Sequence, residues 1–206
     1  YTTVRRAGWL MAGLVSFSLA LLAKPTATLL PLCMFILDYW PLGRFKINRQ
    51  IVLEKVPFLV VAIISAFITY ESQRRTAVTV APGEQSVSRM ALVLCHNVVF
   101  YLQRAVFPSH PSAHYPYPVP FDLSNLNLLV GVVGTIVLLA VLVVSLRWTR
   151  AAAMGWLFFF IAIFPTMGVV GFTNVIAADK YAYLPSLGLM LSLATLLAWL
   201  WNRPWA

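Results

Sequence analysis

Long apolar runs separated by short basic segments dominate this chain. The clearest runs, residues 126–146, 151–172 and 181–201, contain no charged residue. Each has the length of roughly 20 apolar residues that a helix needs to cross a hydrocarbon layer about 30 Å thick. The pattern therefore predicts transmembrane α-helices in the second half of the chain.

Three further apolar runs, 8–23, 25–40 and 51–70, lie in the first third of the chain. The first two are short and are separated by Lys24. We therefore expect Lys24 in a tight turn near a membrane surface.

The segment 86–107 has a different pattern, because polar residues recur in it at helical spacing. Arg89, His96 and Gln103 lie seven residues apart, and Asn97 and Arg104 extend the same stripe. This spacing predicts an amphipathic helix with one polar face. Such a helix lies in the membrane interface or spans with its polar face turned inward.

The distribution of basic residues favours the interfacial alternative. If 86–107 does not span, nine of the 15 basic residues fall on one side, and every short loop on that side is basic, as expected of cytoplasmic loops. We therefore predict an all-α fold, a polytopic transmembrane helical bundle of about six spans plus one interfacial or re-entrant helix. It forms a single transmembrane domain over 1–206, with an external loop at 71–125.

Composition agrees with this class and argues against a nucleic-acid partner. Apolar residues make up 61% and charged residues 10% of the chain, against roughly 45–50% and about 25% in soluble domains. The net charge of +9 comes from residues that flank the apolar runs rather than from one basic stripe. Membrane lipids are the expected partners, and the two cysteines indicate no disulfide framework.

Some charged residues are not fully explained by their position at the end of a helix, and these are the candidate binding residues. Lys24, followed by Pro25, is either a snorkelling lysine or a ligand for a lipid phosphate. Asp179, Lys180 and Tyr181 lie at the external mouth of a predicted span, where the alternative is a polar loop with an aromatic belt. These residues and the loop 71–125 are expected on one membrane face, around a shared cavity with the polar stripe.

Other polar residues carry weaker signals. His96 and Arg104 either line a pocket, with Arg104 binding phosphate, or meet water and headgroups. The prolines around His110 and His114 exclude the helical spacing of a metal-chelating pair, so no metal site is predicted. Asp38 is interpreted as a helix-end residue. Glu54 and Lys55 are interpreted as a local ion pair.

Several segments resemble a known family. They read LLAKPTATLLPLCMFILDYWPLGR, then EKVPF, NVVFYLQRAVFPSHPSAHYPYP and AADKYAYLPSLGL, the last matching a recurrent A-D-[RK]-Y-x-Y-L-P element. They resemble the membrane region of bacterial proteins that join a multi-span domain to tetratricopeptide repeats. Those proteins are similar to the eukaryotic transmembrane and tetratricopeptide-repeat O-mannosyltransferases, glycosyltransferases of the C-type membrane fold.

The resemblance implies an integral membrane enzyme, in the bacterial inner membrane, that transfers a sugar from a polyprenyl-phosphate donor. The acceptor would be a protein or glycan on the extracytoplasmic face. Lys24 would match the lysine that related enzymes place near the donor phosphate. No cofactor is implied beyond the lipid-linked donor.

One departure from that family concerns catalysis. The family places its catalytic acidic residue in the first external loop, and this chain opens directly on Arg5, Arg6 and a helix. We therefore expect a fragment of a longer protein, with the catalytic residue and the tetratricopeptide repeats outside it. The alternatives are a non-catalytic membrane scaffold or assembly subunit and a transporter. A transporter would use a helix broken at Pro165, although no ionisable group lies near that midplane.

Overall fold

The structure is a computed structural model that describes residues 2–44, 49–76, 86–108, 111–167 and 175–202. These residues are mostly helical, in agreement with the predicted all-α class. They group into two compact units, Tyr1–Ala77 and Val78–Ala206, inside the range predicted as one domain. Each unit is described by itself below.

The described part of the first unit contains three α-helices, α1 (Thr2–Ala23), α2 (Leu30–Tyr39) and α3 (Arg49–Thr76). Lys24 has an extended backbone and is followed by a 3-10 helix, Pro25–Leu29, that leads into α2. Proline has no backbone N–H and clashes with a preceding helical turn, so α1 ends before Pro25. The predicted tight turn at Lys24 is therefore present.

The core of the first unit forms between α1 and α3. Phe17 and Leu21 pack with Phe58 and Ala62, and the rings of Phe17 and Phe58 lie 5.8 Å apart. Phe17 and Leu21 are four residues apart, as are Phe58 and Ala62, so each pair lies on one helix face. The two faces bury each other.

A buried ion pair links α2 to α3; it adds a role to Asp38, which lies at the end of α2 as predicted, and corrects the interpretation of Lys55. Lys55 bonds to the carboxylate of Asp38, and both residues are buried. The Lys55 ammonium also lies 5.1 Å from the centre of the Phe35 ring. Asp38 is thus more than a helix-end residue. Lys55 is held by Asp38 rather than by a local pair with Glu54, because adjacent residues on a helix do not face each other.

Within the residues described for it, the second unit has four α-helices and a small antiparallel sheet. The helices are α4 (Val87–Val106), α5 (Leu126–Ser145), α6 (Ala151–Ile163) and α7 (Ser186–Trp201). Strand β1 (Tyr115–Pro116) pairs with β2 (Val175–Ala177), with Tyr115 opposite Ala177 and Pro116 opposite Val175. Short 3-10 helices cover Phe164–Thr166 and Asp179–Tyr181.

Small residues allow two close helix pairs in the second unit. A Cβ added at Gly131 of α5 would come within 2.7 Å of the backbone of His96 on α4. A Cβ added at Gly155 of α6 would come within 2.4 Å of the carbonyl oxygen of Gly188 on α7. Helices packed by van der Waals contact in lipid use small residues in this way, since lipid supplies no hydrophobic force between them.

Among the described residues, two helical segments, rather than the six predicted, are long and apolar enough to cross a membrane, Ile51–Arg75 and Leu126–Ser145. Only 17% and 11% of their apolar stretches are buried, so most of these apolar side chains are exposed. The other predicted spans contain shorter apolar helices of 10–17 residues. Those helices are Ala7–Ala23, Pro25–Tyr39, Ala151–Thr166 and Ser186–Trp201.

Proline and charge explain where helix bounds differ from the predicted spans. Pro165 lies in a 3-10 turn at the end of α6, and Pro185 is the cap residue before α7, so both predicted spans are shortened. The residues after Met167 in the run 151–172, including Gly168 and Gly171, lie outside the described part of the chain. In contrast, α3 continues to Thr76, beyond the predicted end of its span, with Glu71 paired to Arg75 at 2.8 Å.

Candidate functional site

A cavity of about 440 Å³ in the second unit is the candidate site. One wall is the face of α4 that carries His96, Phe100, Gln103 and Arg104. The segment Tyr115–Pro118, which we call the strap, forms another part of the lining, and Asn127 and Val130 of α5 also line the cavity. The volume lies within the range of roughly 300–1,000 Å³ found for small-molecule sites.

The predicted polar stripe of α4 divides into two groups. His96, Gln103 and Arg104 line the cavity. Asn97 instead faces the core, is fully buried, and donates hydrogen bonds to the carbonyls of Ile176 at 2.9 Å and Met167 at 3.4 Å. Asn97 therefore holds β2 against α4 and is not part of the cavity wall.

Tyr101 acts in the same way one helical turn later. Its fully buried hydroxyl donates to the carbonyl oxygen of Ala178 and accepts from the N–H of Ala178, each at 3.1 Å. Asn97 and Tyr101 thus satisfy backbone groups at two points along β2 and the residue after it. These bonds place the neighbouring Asp179 beside the strap.

Arginine–aromatic contacts lie along the strap. The guanidinium of Arg104 lies 5.3 Å from the Phe100 ring centre and 5.2 Å from that of Tyr115. Arg89, nearer the start of α4, lies 5.5 Å from Tyr117 and 4.6 Å from Phe121. These distances are within the range of cation–π attraction. The strap therefore lies against the same helix face that carries the arginines.

Asp179 connects the strap to the end of β2. Its Oδ2 accepts a hydrogen bond of 2.7 Å from the N–H of Ser112 and one of 2.8 Å from the Tyr115 hydroxyl. Its Oδ1 is buried and has no hydrogen-bond partner among the described residues. Asp179 does not line the cavity but positions Tyr115, which does.

Lys180 and Tyr181 lie beyond Asp179 and do not line the cavity. Lys180 is exposed, and its ammonium lies 5.4 Å from the centre of the Tyr181 ring. Their predicted role in substrate binding stays a prediction.

Lys24 belongs to the first unit. It is exposed and caps the 3-10 helix Pro25–Leu29. Lys24 is predicted to share a cavity with Asp179, Lys180 and the α4 stripe. Those three belong to the second unit, so a cavity that they share with Lys24 stays a prediction.

Burial and charge change the ionisation of several groups around the cavity. Burial lowers the pKa of His96 from its usual 6.5, against the opposing hydrogen bond to Asn97, so the imidazole favours its neutral form. Burial raises the pKa of Tyr115, and its hydrogen bond to Asp179 and the charge of that carboxylate raise it further. The cavity therefore presents neutral imidazole and phenol groups, and Arg104 supplies its positive charge at neutral pH.

No cluster of three or more His, Cys, Asp or Glu side chains able to hold a metal ion occurs among the described residues. His110 lies outside that part of the chain. His114 is described, and its Nδ1 lies 2.6 Å from the carbonyl oxygen of Ala113.

Of the residues that line the cavity, only His96 and Arg104 are binding candidates predicted from the sequence; the lining residues not predicted include Phe100, Gln103, Tyr115, Tyr117 and Asn127. Gln103 belongs to the predicted polar stripe, and the alternating Tyr-Pro-Tyr-Pro of the strap favours an extended path because proline excludes regular helix. The sequence offers no signal that this path returns to α4. The pairing of Tyr115 with Ala177, 62 residues later, produces that contact.

Comparison of the chain with family models, curated proteins and solved structures finds no match.

Proposed function

We propose that this chain is part of an integral membrane glycosyltransferase that transfers a sugar from a polyprenyl-phosphate donor to a protein or glycan acceptor. The cavity between α4 and the strap carries this proposal. It combines one cation, Arg104, with aromatic rings and uncharged hydrogen-bonding groups. This combination suits a hydroxyl-rich ring linked to an anionic group.

The membrane setting rests on the exposed apolar helices. Large side chains such as Ile63, Phe67, Ile136 and Val143 are each more than 60% exposed. Contiguous apolar surface of this kind marks contact with lipid or another protein. In the arrangement we propose, six helical segments cross the bacterial inner membrane, and α4 lies at the extracytoplasmic surface.

The proposed chemistry needs a cation beside the leaving group. A departing polyprenyl phosphate gains negative charge, and a cation placed there stabilises the transition state. Lys24, exposed in its turn, would bind that phosphate. Within the second unit, His96 and Arg104 line the cavity and are proposed to bind substrate, as are Lys180 and Tyr181, and Asp179 positions Tyr115. The general base is not assigned to any residue of this chain.

The test replaces Lys24 in the protein as it occurs in its membrane. Lys24→Met removes the cation and keeps an apolar stem, so turnover of a polyprenyl-phosphate sugar should fall about 10- to 100-fold. Lys24→Arg should retain part of the activity because the charge remains. Arg44→Gln is the matched control, since Arg44 is also exposed at a helix end but belongs to the predicted cytoplasmic side. Full turnover by Lys24→Met, at equal protein level, would reject the phosphate-binding role.

A further inference from the structure

Three residues that line the cavity carry polar groups with no hydrogen-bond partner among the described residues. These groups are Nε2 of His96 and the side-chain amides of Gln103 and Asn127. The aromatic faces of the lining are already covered, since Phe100 stacks on His96 and the tyrosines of the strap pack against arginines. A ligand in the cavity therefore finds hydrogen-bonding groups there rather than open ring faces.

The position of the proton on His96 follows from the neighbouring Asn97. The amide nitrogen of Asn97 donates to the backbone carbonyls of Ile176 and Met167, so Nδ2 and Oδ1 cannot exchange places without losing both bonds. Oδ1 of Asn97 lies 3.1 Å from Nδ1 of His96. Because that oxygen carries no proton, Nδ1 of His96 is the donor. The two backbone carbonyls thus fix the proton of His96 on Nδ1.

Nε2 of His96 is consequently a hydrogen-bond acceptor. Burial lowers the pKa of His96 from its usual 6.5, so the ring favours its neutral form at pH 7 and its one N–H is the one on Nδ1. A neutral ring that is protonated on Nδ1 has a lone pair on Nε2. Such a nitrogen accepts from an O–H or N–H group and cannot donate a hydrogen bond to a phosphate or carboxylate oxygen.

The amides of Gln103 and Asn127 add groups that both donate and accept. A hydroxyl also does both, so two amides and one acceptor nitrogen match a ligand with several hydroxyls, such as a sugar. Gln103 lies seven residues after His96 on α4, two helical turns or about 10 Å along the axis. Asn127 belongs to α5. The three groups therefore contact different parts of a ligand rather than one atom.

We infer that His96 selects the ligand of this cavity as a hydrogen-bond acceptor. One hydroxyl of a sugar ring donates to Nε2 of His96, and other hydroxyls of the sugar bond to the amides of Gln103 and Asn127. The inference rests on the proposed function and deepens it, because it names the groups that recognise the sugar and the form of the imidazole that recognition needs.

Nuclear magnetic resonance tests the protonation of His96 directly. Protein labelled with ¹³C,¹⁵N-histidine in lipid nanodiscs gives different nitrogen resonances for protonated and unprotonated ring nitrogens, and carbon–nitrogen correlations distinguish Nδ1 from Nε2. The spectrum of His96→Phe identifies the resonances of His96. At neutral pH we expect a protonated Nδ1 and an unprotonated Nε2. The reverse assignment in the unaltered protein would overturn the inference.

Ligand titration tests the hydroxyl contact in the same sample. Methyl glucoside should shift the Nε2 resonance of His96, whereas its permethylated form, which has the same ring without hydroxyl donors, should not. N-acetylglycinamide supplies an N–H donor of the kind that a peptide would present. The inference is wrong if methyl glucoside causes no shift, if the permethylated form causes an equal one, or if the amide binds more tightly.

Variants separate the acceptor nitrogen from the packing of the ring. His96→Phe keeps an aromatic ring against Phe100 and removes Nε2, so methyl glucoside should bind about tenfold more weakly, as measured from the resonances of the sugar. His96→Gln provides an acceptor oxygen and should restore part of the loss. Gln103→Leu should weaken binding about 2- to 10-fold. Arg147→Gln is the inert control, because Arg147 is exposed beyond the other end of α5 from Asn127. Unchanged binding by His96→Phe would overturn the inference.

The pH dependence of binding provides an independent readout. The other ionisable groups in the described lining are Arg104, Tyr115 and Tyr117. Arginine keeps its charge, and burial raises the pKa of both tyrosines above the usual 10.0, so none of the three titrates near neutral pH. Below the pKa of His96 the affinity for methyl glucoside should fall about tenfold per pH unit, because the imidazolium has no acceptor. The nitrogen resonances give that pKa in the same sample, and constant affinity across it would contradict the role of Nε2.

The two proposals fail separately. If Nε2 of His96 accepts from methyl glucoside but the protein transfers no sugar, the transferase is contradicted and this site is preserved. If the protein transfers a sugar but Nε2 does not respond to methyl glucoside, the transferase is preserved and this inference is removed.

Discussion

The hydroxyl of Tyr115 donates a hydrogen bond of 2.8 Å to the carboxylate of Asp179, joining residues 64 positions apart in the chain. The same carboxylate oxygen also accepts from the N–H of Ser112. Two properties follow from this arrangement. Asp179 determines where the strap lies, and the strap forms one wall of the cavity.

The first prediction concerns the energy of this contact. Tyr115→Phe and Asp179→Asn should each destabilise the second unit, and the double variant should lose less than the sum of the two. The expected coupling is about 1 kcal/mol, since the bond is charge-assisted but only partly buried. Unfolding in detergent by a mild denaturant series measures it. Strict additivity would show that the bond contributes nothing, and Tyr183→Phe, at an exposed tyrosine, is the control.

The second prediction concerns alkaline pH. The pKa of Tyr115 in the folded protein is raised above its usual 10.0, first by burial and then by Asp179. The folded state therefore holds this proton more tightly than the unfolded state does. Its stabilising effect is complete below pH 10 and is lost as the pH rises above 10 toward the raised pKa. Thermal unfolding across this range should show a loss that is smaller in Tyr115→Phe. An unchanged slope in the variant would assign the loss to other groups.

The third prediction concerns Asn97. Asn97→Leu keeps a similar volume but removes the donors to Ile176 and Met167, so the second unit should lose about 1–3 kcal/mol of unfolding free energy. Gln103→Leu, on the exposed side of the same helix, should change it by less than about 0.5 kcal/mol. Thermal or denaturant unfolding compares the two. Equal losses would contradict the structural role of Asn97.

The fourth prediction concerns the buried pair of Asp38 and Lys55 in the first unit. Lys55→Met leaves a carboxylate buried without its partner and should cost about 3–5 kcal/mol. Adding Asp38→Leu should recover most of that loss, because an apolar pair needs no compensating charge. Glu71→Gln breaks only exposed ion pairs and should cost less than about 1 kcal/mol. If the double variant is as unstable as Lys55→Met, the loss does not come from an unpaired buried carboxylate, and the prediction is wrong.

The fifth prediction concerns topology. In a cysteine-free background, a thiol at Ser124 should react with an impermeant reagent added outside intact cells, and one at Thr149 should not. Both positions are exposed, at opposite ends of α5. Reaction at Thr149 with protection at Ser124 would show that α5 has the opposite orientation in the membrane. It would also indicate that α4 crosses the membrane.

Much of the helical architecture was predictable because it depends on local pattern. Apolar runs and proline positions are read along the chain, and they indicated the helices and the turn at Lys24. The ends of the helices were predicted less well. An apolar run includes residues that a proline excludes from the α-helix, as at Pro165 and Pro185.

The polar contacts were decided only by the tertiary structure. Asn97 and Arg104 looked equivalent on one stripe, yet one is buried against Ile176 and the other lines the cavity. Lys55 directly follows Glu54 in the sequence, but its ammonium bonds to the carboxylate of Asp38, 17 residues earlier. The sequence by itself determined which segments become apolar helices, since helix periodicity and proline act within a few residues. Which polar groups meet depends on how distant segments pack, through the pairing of β1 and β2 in the second unit and of α2 and α3 in the first, and a buried polar group bonds to the partner that this packing supplies.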